Sequence, residues 1–294
     1  MLGELLTAIV TPFRKDGSVH LERFRAHARH LVENGSDGLV VAATTGEAPT
    51  LTDDEKIELW KAAVEEVGEK STVVAATGTY STAHSVHLTD QAHELGVDGF
   101  LVVTPYYNKP PQRGIVEHFR AIAEVTDKPI MVYNIPGRVV VNIEPATLCV
   151  LAQIPNVVAV KQALDDLDQA RRIVEEAELE LYAGDDFLLF PFLELGGVGG
   201  VCVRSNIAGP QMKEMITRHR EGDVEAARRI NDELQPLWDL DDVAVNPIPV
   251  KTALRLLGHD MGGSRLPLVD AIPEEVEQVR VCLERAGLLT AAPA

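Results

Sequence analysis

Residues 156–164 read Asn-Val-Val-Ala-Val-Lys-Gln-Ala-Leu, an apolar, β-branched run that is interrupted by one charged residue, Lys161. A short run of this kind predicts a buried strand. Because burial disfavours a charged ammonium group, we expect Lys161 to act as a neutral amine that attacks a carbonyl carbon and forms a Schiff base. The other eight lysines lie in charged, polar or proline-flanked contexts, where we expect solvated side chains. Taken alone, Lys161 also fits a strand-end lysine whose head reaches water.

Similar β-branched runs recur along the chain, each separated from the next by an amphipathic stretch of helical period. Strands that alternate with helices indicate parallel βαβ units, and their near-continuous hydrophobicity indicates a sheet that is covered on both faces. Eight such units over about 200 residues favour an α/β fold, the (β/α)8 TIM barrel. A dinucleotide-binding sheet would need a glycine fingerprint after its first strand, which residues 11–14 lack. The predicted strands are Leu5–Phe13, Gly38–Thr44, Thr72–Gly78, Gly99–Pro105, Pro129–Ile135, Val157–Ala163, Leu179–Gly184 and Gly199–Val203.

Beyond residue 206 the pattern is helical only, over Pro210–Glu221, Asp223–Trp238, Pro249–Leu257 and Pro273–Ala286. We interpret the first of these as the last barrel helix and the others as a C-terminal helical extension. The predicted organisation is therefore a barrel domain over residues 1–224 and a helical region over residues 225–294. A capping box over residues 52–55 predicts that another helix begins directly after the motif at residues 44–47.

The formal net charge of −18 disfavours binding to nucleic acid or to anionic membranes and fits a protein that acts on small molecules. No basic leader precedes the apolar residues 5–10, and no apolar run is long enough to span a bilayer, so we expect a cytoplasmic protein. We expect no metal, because three clustered histidines, at 84, 87 and 93, more often form a polar helix surface. An odd number of thiols in mostly apolar segments predicts buried free cysteines at Cys149, Cys202 and Cys282.

In a barrel of this type, the active site lies at the C-terminal ends of the strands. Imine formation needs proton delivery to a carbinolamine, so Tyr133 is predicted as general acid and base, with a core tyrosine as the alternative. Donors at residues 44–46, or the guanidinium fork of Arg138, suit a substrate carboxylate, although Arg138 alone would more often be a surface residue. The glycine-rich residues 196–200 precede the eighth strand, so we expect a turn there. Reactive groups end the strands at Thr44-Thr45-Gly46-Glu47, Thr104-Pro105-Tyr106-Tyr107-Asn108, Tyr133–Arg138, Lys161 and Gly184-Asp185-Asp186.

At these residues the chain closely resembles the dihydrodipicolinate synthase family of pyruvate-dependent class I aldolases, whose superfamily includes N-acetylneuraminate lyase. The resemblance covers essentially the whole chain. Several separated motifs occur in the same order, which makes the match highly specific. The motifs are Thr44-Thr45-Gly46-Glu47, Pro105-Tyr106-Tyr107-Asn108, Tyr133-Asn134-Ile135-Pro136-Gly137-Arg138, Lys161, Gly184-Asp185-Asp186, Asn246-Pro247-Ile248-Pro249-Val250-Lys251 and Arg265-Leu266-Pro267.

The resemblance implies a reaction that needs no cofactor. Lys161 would form an imine with pyruvate, and the derived enamine would attack the aldehyde of aspartate semialdehyde, a step of lysine and diaminopimelate biosynthesis. A proton relay would join Tyr133, Thr44 and Tyr107, the last contributed by a neighbouring subunit. Contacts across the adjacent tyrosines 106 and 107 would form tight dimers, and we expect a homotetramer. The implied substrate-binding residues are Thr45 for the pyruvate carboxylate, Arg138 for the semialdehyde, and Gly46, Val203, Gly184, Asp185 and Asn246.

Three positions depart from the family pattern. Gln162 stands where an acidic residue is common, but strand alternation points it away from a pocket that Lys161 faces. Ala43 replaces a frequent glycine, and Arg204 follows the eighth strand. We expect both to alter the pocket for the second substrate, which leaves the aldehyde less fixed than pyruvate.

A cleft beside Tyr106 binds lysine in regulated relatives, through an asparagine and a glutamate. Here Tyr80 and His84 hold those places, and Lys56 would repel the ligand's ammonium group. Losing a charge-assisted hydrogen bond predicts weak or no inhibition by lysine. The alternative is that Asp53 supplies the carboxylate.

Two other functions compete with the synthase. One is a pyruvate-releasing aldolase of the same superfamily, which would cleave N-acetylneuraminate or a keto-deoxy sugar acid. Arg138 speaks against it, because the sugar-acid lyases usually lack this arginine. The other is a barrel that only binds a small ligand, but a binding module gains nothing from an expensive buried amine.

Overall fold

The computed structural model describes residues 2–290 and forms a closed barrel of eight parallel strands in sequential order. The strands are β1 (Leu5–Ala8), β2 (Gly38–Val41), β3 (Thr72–Ala76), β4 (Gly99–Val103), β5 (Ile130–Asn134), β6 (Val157–Gln162), β7 (Glu180–Ala183) and β8 (Gly199–Cys202). The barrel closes where β1 pairs with β8, with Thr7 beside Cys202. The predicted (β/α)8 class is confirmed.

Helices follow the strands and then continue as a C-terminal extension. They are α1 (Leu21–Glu33), α2 (Asp53–Val67), α3 (Thr82–Glu94), α4 (Gln112–Ala123), α5 (Pro136–Val139), α6 (Pro145–Leu151), α7 (Leu167–Glu176), α8 (Leu189–Glu194), α9 (Ser205–Arg220), α10 (Val224–Trp238), α11 (Leu240–Val243), α12 (Ile248–Leu256) and α13 (Pro273–Arg285). The predicted capping box is present at the start of α2, where the Thr52 hydroxyl accepts from the Glu55 amide and the Glu55 carboxylate accepts from the Thr52 amide.

The first predicted strand is too long. β1 ends at Ala8, and residues 9–13 leave the sheet, where Phe13 pairs with Val19 in an isolated antiparallel bridge. Pro12 has no amide hydrogen to donate to a ladder, and the Thr11 hydroxyl donates to the carbonyl of Gly46, 2.7 Å away. The segment therefore ends against the loop that follows β2.

Side chains alternate between the barrel interior and the helical layer, as the strand period requires. The outward set, which includes Leu39, Val73 and Phe100, packs in the larger cluster with the helices. The inward set forms a separate buried cluster that includes Leu6, Ala8, Val40, Val74, Leu101, Met131, Tyr133, Ala159, Tyr182 and Val201. Large and small side chains thus fill the barrel interior up to the level of Tyr133 and Lys161, near the C-terminal ends of β5 and β6.

The last barrel helix, α9, has a break near its start. It begins at Ser205, earlier than the predicted Pro210, but Ala208 has a non-helical φ of −137°. The uninterrupted part of the helix therefore begins close to the predicted start. The extension packs back onto α9 through α10 and α12, and α13 contacts both of these. The proposed boundary at residue 224 stays a prediction.

Two predictions concern the thiols and the membrane. Cys202 and Cys282 are buried as expected, whereas Cys149 is only partly buried, because it lies towards the surface of α6. All three thiols are free. Among residues 2–290, no helix combines the length and the apolar character needed to cross a membrane.

Candidate active site

Lys161 and Tyr133 lie side by side inside the barrel. They occupy paired positions on β6 and β5, and both are about 4% exposed. The Lys161 Nζ atom lies 4.1 Å from the centre of the Tyr133 ring. Within residues 2–290, this nitrogen makes no hydrogen bond and no salt bridge. The lysine amine therefore contacts an aromatic ring and is hydrogen-bonded to no carboxylate within residues 2–290, which suits a nucleophile.

A cavity of about 410 Å³ opens at the C-terminal end of the strands; Tyr133 lines it, whereas Lys161 lies behind the Tyr133 ring and is not part of its wall. Thr44, Tyr133 and Arg138 line it, together with Ala43. Arg138 is exposed, because it lies in the short helix α5 directly after β5. The cavity thus has hydroxyl groups in its wall and a guanidinium at its mouth, the arrangement predicted for an anionic substrate.

The turn after β2 carries the predicted carboxylate-binding groups. Thr45 is buried, and its Oγ1 atom accepts a hydrogen bond from Asn246 Nδ2 at 3.0 Å. A side chain at Gly46 would come within 3.1 to 3.3 Å of Thr11 Oγ1, the Ile9 carbonyl and the Ala42 Cα atom, so only glycine fits without displacement. Asn246, from the C-terminal extension, therefore contacts the turn, and its predicted role in substrate binding stays a prediction.

The ends of β7 and β8 meet at an acidic pair. Asp186 is buried and accepts from the amides of Val203 and Arg204, at 2.9 and 2.7 Å. Burial raises its pKa, and Arg204 opposes that rise. Burial also raises the pKa of Asp185 to about 6, while Lys161 and Arg138 lower it. Asp186, which belongs to the predicted group at residues 184–186 but was assigned no role, thus fixes the backbone at Val203.

Gly184 allows β7 and β6 to approach closely. A Cβ atom there would lie 2.6 Å from the Ala163 Cβ and 2.7 Å from the Ala163 amide nitrogen. The Gly184 amide donates to the Gln162 carbonyl at 2.8 Å. Close packing of β7 against β6 therefore requires glycine at position 184, independently of any role in binding substrate.

The predicted orientation of Gln162 is confirmed. Its Oε1 atom accepts from Asn134 Nδ2 at 3.0 Å, and Asn134 also binds Asn142, so this network lies on the outer face of β5 and β6. Ala43 lines the cavity, as expected. The prediction for Arg204 is wrong: its side chain is buried away from the cavity, where it donates to the Leu237 carbonyl and pairs with Asp241 at 2.7 Å. The C-terminal helices supply those acceptors, which the strand pattern could not reveal.

Tyr107 does not reach the cavity of its own chain. Its side chain is 93% exposed, and its backbone adopts a left-handed φ of 72°, which a bulky residue rarely adopts. Tyr106 packs edge-on against Tyr80, with ring centres 5.5 Å apart. The geometry is compatible with the predicted role of Tyr107 in a neighbouring subunit, which stays a prediction.

Two of the lysines expected to be solvated are buried. Lys56 and Lys251 are 7% and 5% exposed, so that expectation is wrong. Lys56 pairs with Asp53 at 3.4 Å, and Lys251 pairs with Glu47 at 2.5 Å. The signal for Lys251 was its place in the quoted Asn246–Lys251 motif, from which only Asn246 was assigned to the site.

The outer part of the same cavity contains the residues expected at the lysine cleft. Asp53, Lys56, Tyr80, His84 and Tyr106 all line it. Asp53 Oδ2 lies 2.9 Å from His84 Nε2. The carboxylate that could take over the acidic role is therefore already engaged by two basic side chains.

A larger open cleft, of about 710 Å³, lies at the opposite end of the barrel. Its wall includes Pro129, Asn156 and Val158, at the N-terminal ends of β5 and β6. None of the predicted site residues lines it. Its position is wrong for catalysis in this fold, whose active sites lie at the C-terminal ends.

Known proteins match this chain over nearly its whole length. A family model described as the dihydrodipicolinate synthetase family matches residues 1–286. A protein of Desulforamulus reducens named 4-hydroxy-tetrahydrodipicolinate synthase is 49% identical over 291 residues, which cover 98% of each chain.

Solved structures agree. A crystal structure of the enzyme from Cyanidioschyzon merolae with lysine bound is 44% identical, with a TM-score of 0.96 over 98% of this chain and 99% of the other. The dihydrodipicolinate synthase of Thermotoga maritima is 42% identical, with a TM-score of 0.95 over 98% and 100%. The chain belongs to the dihydrodipicolinate synthetase family.

Proposed function

We propose that this chain is a 4-hydroxy-tetrahydrodipicolinate synthase, which condenses pyruvate with aspartate 4-semialdehyde in lysine and diaminopimelate biosynthesis. The observation that carries the proposal is the buried Lys161, which has no anionic partner within residues 2–290 and lies 4.1 Å from the centre of the Tyr133 ring. Relatives of that name, at 47% to 49% identity, support it.

Lys161 acts as the nucleophile, and no cofactor is needed. Its amine adds to the C2 carbonyl of pyruvate, and loss of water gives an imine. Loss of a proton from the methyl carbon gives an enamine, whose carbon attacks the aldehyde carbon of the semialdehyde. The amino group of the semialdehyde then attacks C2, closes the ring and releases the lysine amine.

Tyr133, Thr44 and Tyr107 move the protons that these steps require. The Tyr133 ring contacts Lys161, and its hydroxyl protonates the carbinolamine oxygen that leaves as water. Thr44 lines the same cavity. Tyr107 is exposed on its own chain, and it enters the relay from a neighbouring subunit.

The remaining predicted residues bind the substrates. Thr45 and the backbone at Gly46 hold the pyruvate carboxylate, and Arg138 at the mouth attracts the semialdehyde carboxylate. Asp185 is the acidic residue that we assign to the site; burial raises its pKa, and Lys161 and Arg138 oppose that rise. Gly184, Val203 and Asn246 are the remaining residues to which we assign substrate binding.

The working form is a homotetramer in the cytoplasm, built from tight dimers. Three exposed or half-exposed tyrosines, 80, 106 and 107, form the aromatic surface for the tight contact. Aromatic residues are enriched at such interfaces. Mass measured in solution for the wild type and for Tyr107→Ala tests this assembly.

Trapping with borohydride tests the function. Pyruvate and borohydride should add one stable adduct, which peptide mapping locates on Lys161, and Lys161→Ala should stay folded without turnover. An adduct elsewhere would refute the assignment. A panel of aldehydes then distinguishes the synthase from a pyruvate-releasing lyase, because a lyase would cleave a sugar-derived keto acid and ignore the semialdehyde.

A further inference from the structure

A buried ion pair links the C-terminal extension to the turn after β2. Lys251, on α12, is 5% exposed and donates to Glu47 Oε1 at 2.5 Å and to the Gly263 carbonyl at 2.9 Å. Its ammonium also lies 4.5 Å from the centre of the Phe13 ring. Every donor direction of this lysine is therefore occupied by one carboxylate, one carbonyl and one aromatic face.

Glu47 is the last residue of the turn that carries Thr44, Thr45 and Gly46. Its side chain is fully buried, and its backbone adopts a left-handed φ of 59°. Its amide donates to the Thr44 carbonyl at 3.0 Å, which closes the turn on itself. A non-glycine residue in this conformation persists only where its surroundings hold it there.

The second carboxylate oxygen of Glu47 is held from the other side. Glu47 Oε2 accepts from the Arg265 amide at 2.9 Å, and the Arg265 guanidinium donates to the Thr50 carbonyl at 2.8 Å and to Glu55. Both oxygens of one buried carboxylate are thus held by the C-terminal region. A carboxylate with both oxygens held can fix the position of its own backbone.

The extension also reaches the substrate-binding hydroxyl itself. Asn246, which lies in the loop before α12, donates to Thr45 Oγ1 at 3.0 Å. Because the Thr45 oxygen accepts from Asn246, its own hydrogen remains available for donation to another acceptor, such as the substrate carboxylate. The turn is therefore held at Thr45 and at Glu47, two residues apart, by groups from a single segment.

We propose that Lys251 is a positioning residue, which acts through Glu47 to hold the turn at residues 44–46 in the geometry that binds the carboxylate of the keto-acid substrate. This inference rests on the proposed function. It assigns to the extension a role in substrate affinity, distinct from the chemistry at Lys161.

Three variants test the proposal in the full-length protein. Lys251→Met removes the cation and keeps much of the volume, whereas Lys251→Met with Glu47→Gln removes both charges. Lys213→Met is the matched control, because Lys213 pairs with Glu4 and Asp37, both at 2.8 Å, at the opposite end of the barrel. Each variant is measured for pyruvate KM, for kcat at saturating pyruvate, for the midpoint of thermal unfolding and for the yield of borohydride adduct.

Lys251→Met should raise the KM for pyruvate by about tenfold or more and change kcat at saturating pyruvate by less than about threefold. The double variant should recover part of the lost affinity, since it leaves no unpaired buried charge. Lys213→Met should lower the unfolding midpoint and leave the KM for pyruvate unchanged.

An unchanged KM in folded Lys251→Met, or the same KM increase in Lys213→Met, would overturn the proposal and leave the pair as a stabilising contact only. If Lys251→Met does not fold, Glu47→Gln and Asn246→Ala decide instead, because each must raise the KM for pyruvate. The wild-type adduct at Lys161 is read separately. Its absence would refute the proposed function, whereas its presence with unchanged KM values refutes only the role of Lys251.

Discussion

Removing one oxygen atom from Tyr133 is the sharpest test of the proton relay. Phenylalanine keeps the ring whose centre lies 4.1 Å from Lys161 Nζ. It also keeps the backbone contacts, because the Tyr133 carbonyl accepts from the amide and the hydroxyl of Thr104 at 3.0 and 2.9 Å. Tyr133→Phe therefore removes the acid–base group and leaves the environment of the amine in place.

The expected loss is large in rate and small in stability. General acid–base groups contribute about 100- to 10,000-fold. At 1.36 kcal/mol for each factor of ten, this corresponds to about 3 to 5 kcal/mol in the activation barrier. The Tyr133 hydroxyl makes no hydrogen bond within residues 2–290, so its removal should change the free energy of unfolding by less than about 1 kcal/mol.

Tyr182→Phe is the matched control. Tyr182 lies on β7, on the side of Lys161 opposite to Tyr133, and the two residues are paired in the sheet. Its hydroxyl, however, donates to the Gly3 carbonyl at 2.8 Å, at the N-terminal end of the barrel. It should lose about 1 kcal/mol of stability and keep its kcat. Both variants are assayed for kcat, for pyruvate KM and for unfolding in denaturant. A Tyr133→Phe enzyme with kcat within about threefold of wild type would refute the relay.

Three further outcomes follow from the site. Thr44→Val and Tyr107→Phe should lower kcat more than they raise the KM for pyruvate. Hybrids of Tyr107→Phe subunits with inactive Lys161→Ala subunits should regain activity, because one site then contains both Lys161 and a neighbour's Tyr107. Hybrids that stay inactive would contradict a shared site. Because burial raises the pKa of Asp185 from 3.8 to about 6, the protonated carboxyl contributes stability that is full below about pH 4 and lost as pH rises through 6. Asp185→Asn should therefore raise the denaturation midpoint at pH 8 but not at pH 4. Lysine should not inhibit turnover at sub-millimolar concentration, since His84 replaces a carboxylate and engages Asp53; half-inhibition in that range would show a functional cleft.

Local sequence patterns predicted the barrel and brought Lys161 and Tyr133 together as candidates for one site. The apolar run around Lys161 forms a strand and also provides a desolvated environment for an amine. The hydrophobic pattern and the expected chemistry therefore pointed to the same residue. Tyr133 lies at the same level because β5 and β6 pair in parallel register. Strand ends were less certain, as in β1, where Pro12 and the contact of Thr11 with Gly46 end the ladder early.

Contacts from the C-terminal extension could not be predicted in the same way. Arg204 follows a strand, and the strand pattern placed it near the cavity. Its partners, the Leu237 carbonyl and Asp241, lie more than thirty residues later in the chain. They belong to helices whose packing against the barrel cannot be read from local sequence periodicity. A buried cation looks like a surface cation in sequence until its partner is known.

Lys161 is easier to find in the sequence than Lys251 and Glu47, the pair proposed to hold the turn after β2. Lys161 makes no salt bridge within residues 2–290, and its apolar segment together with the other strand-end motifs marks it in the sequence. Lys251 and Glu47 are 204 residues apart, and each is ordinary in its own segment. Burying either charge alone would be strongly unfavourable, so each is tolerated only because the barrel and the extension bring both to one place. Substrate affinity that depends on this pair would thus require the docked extension.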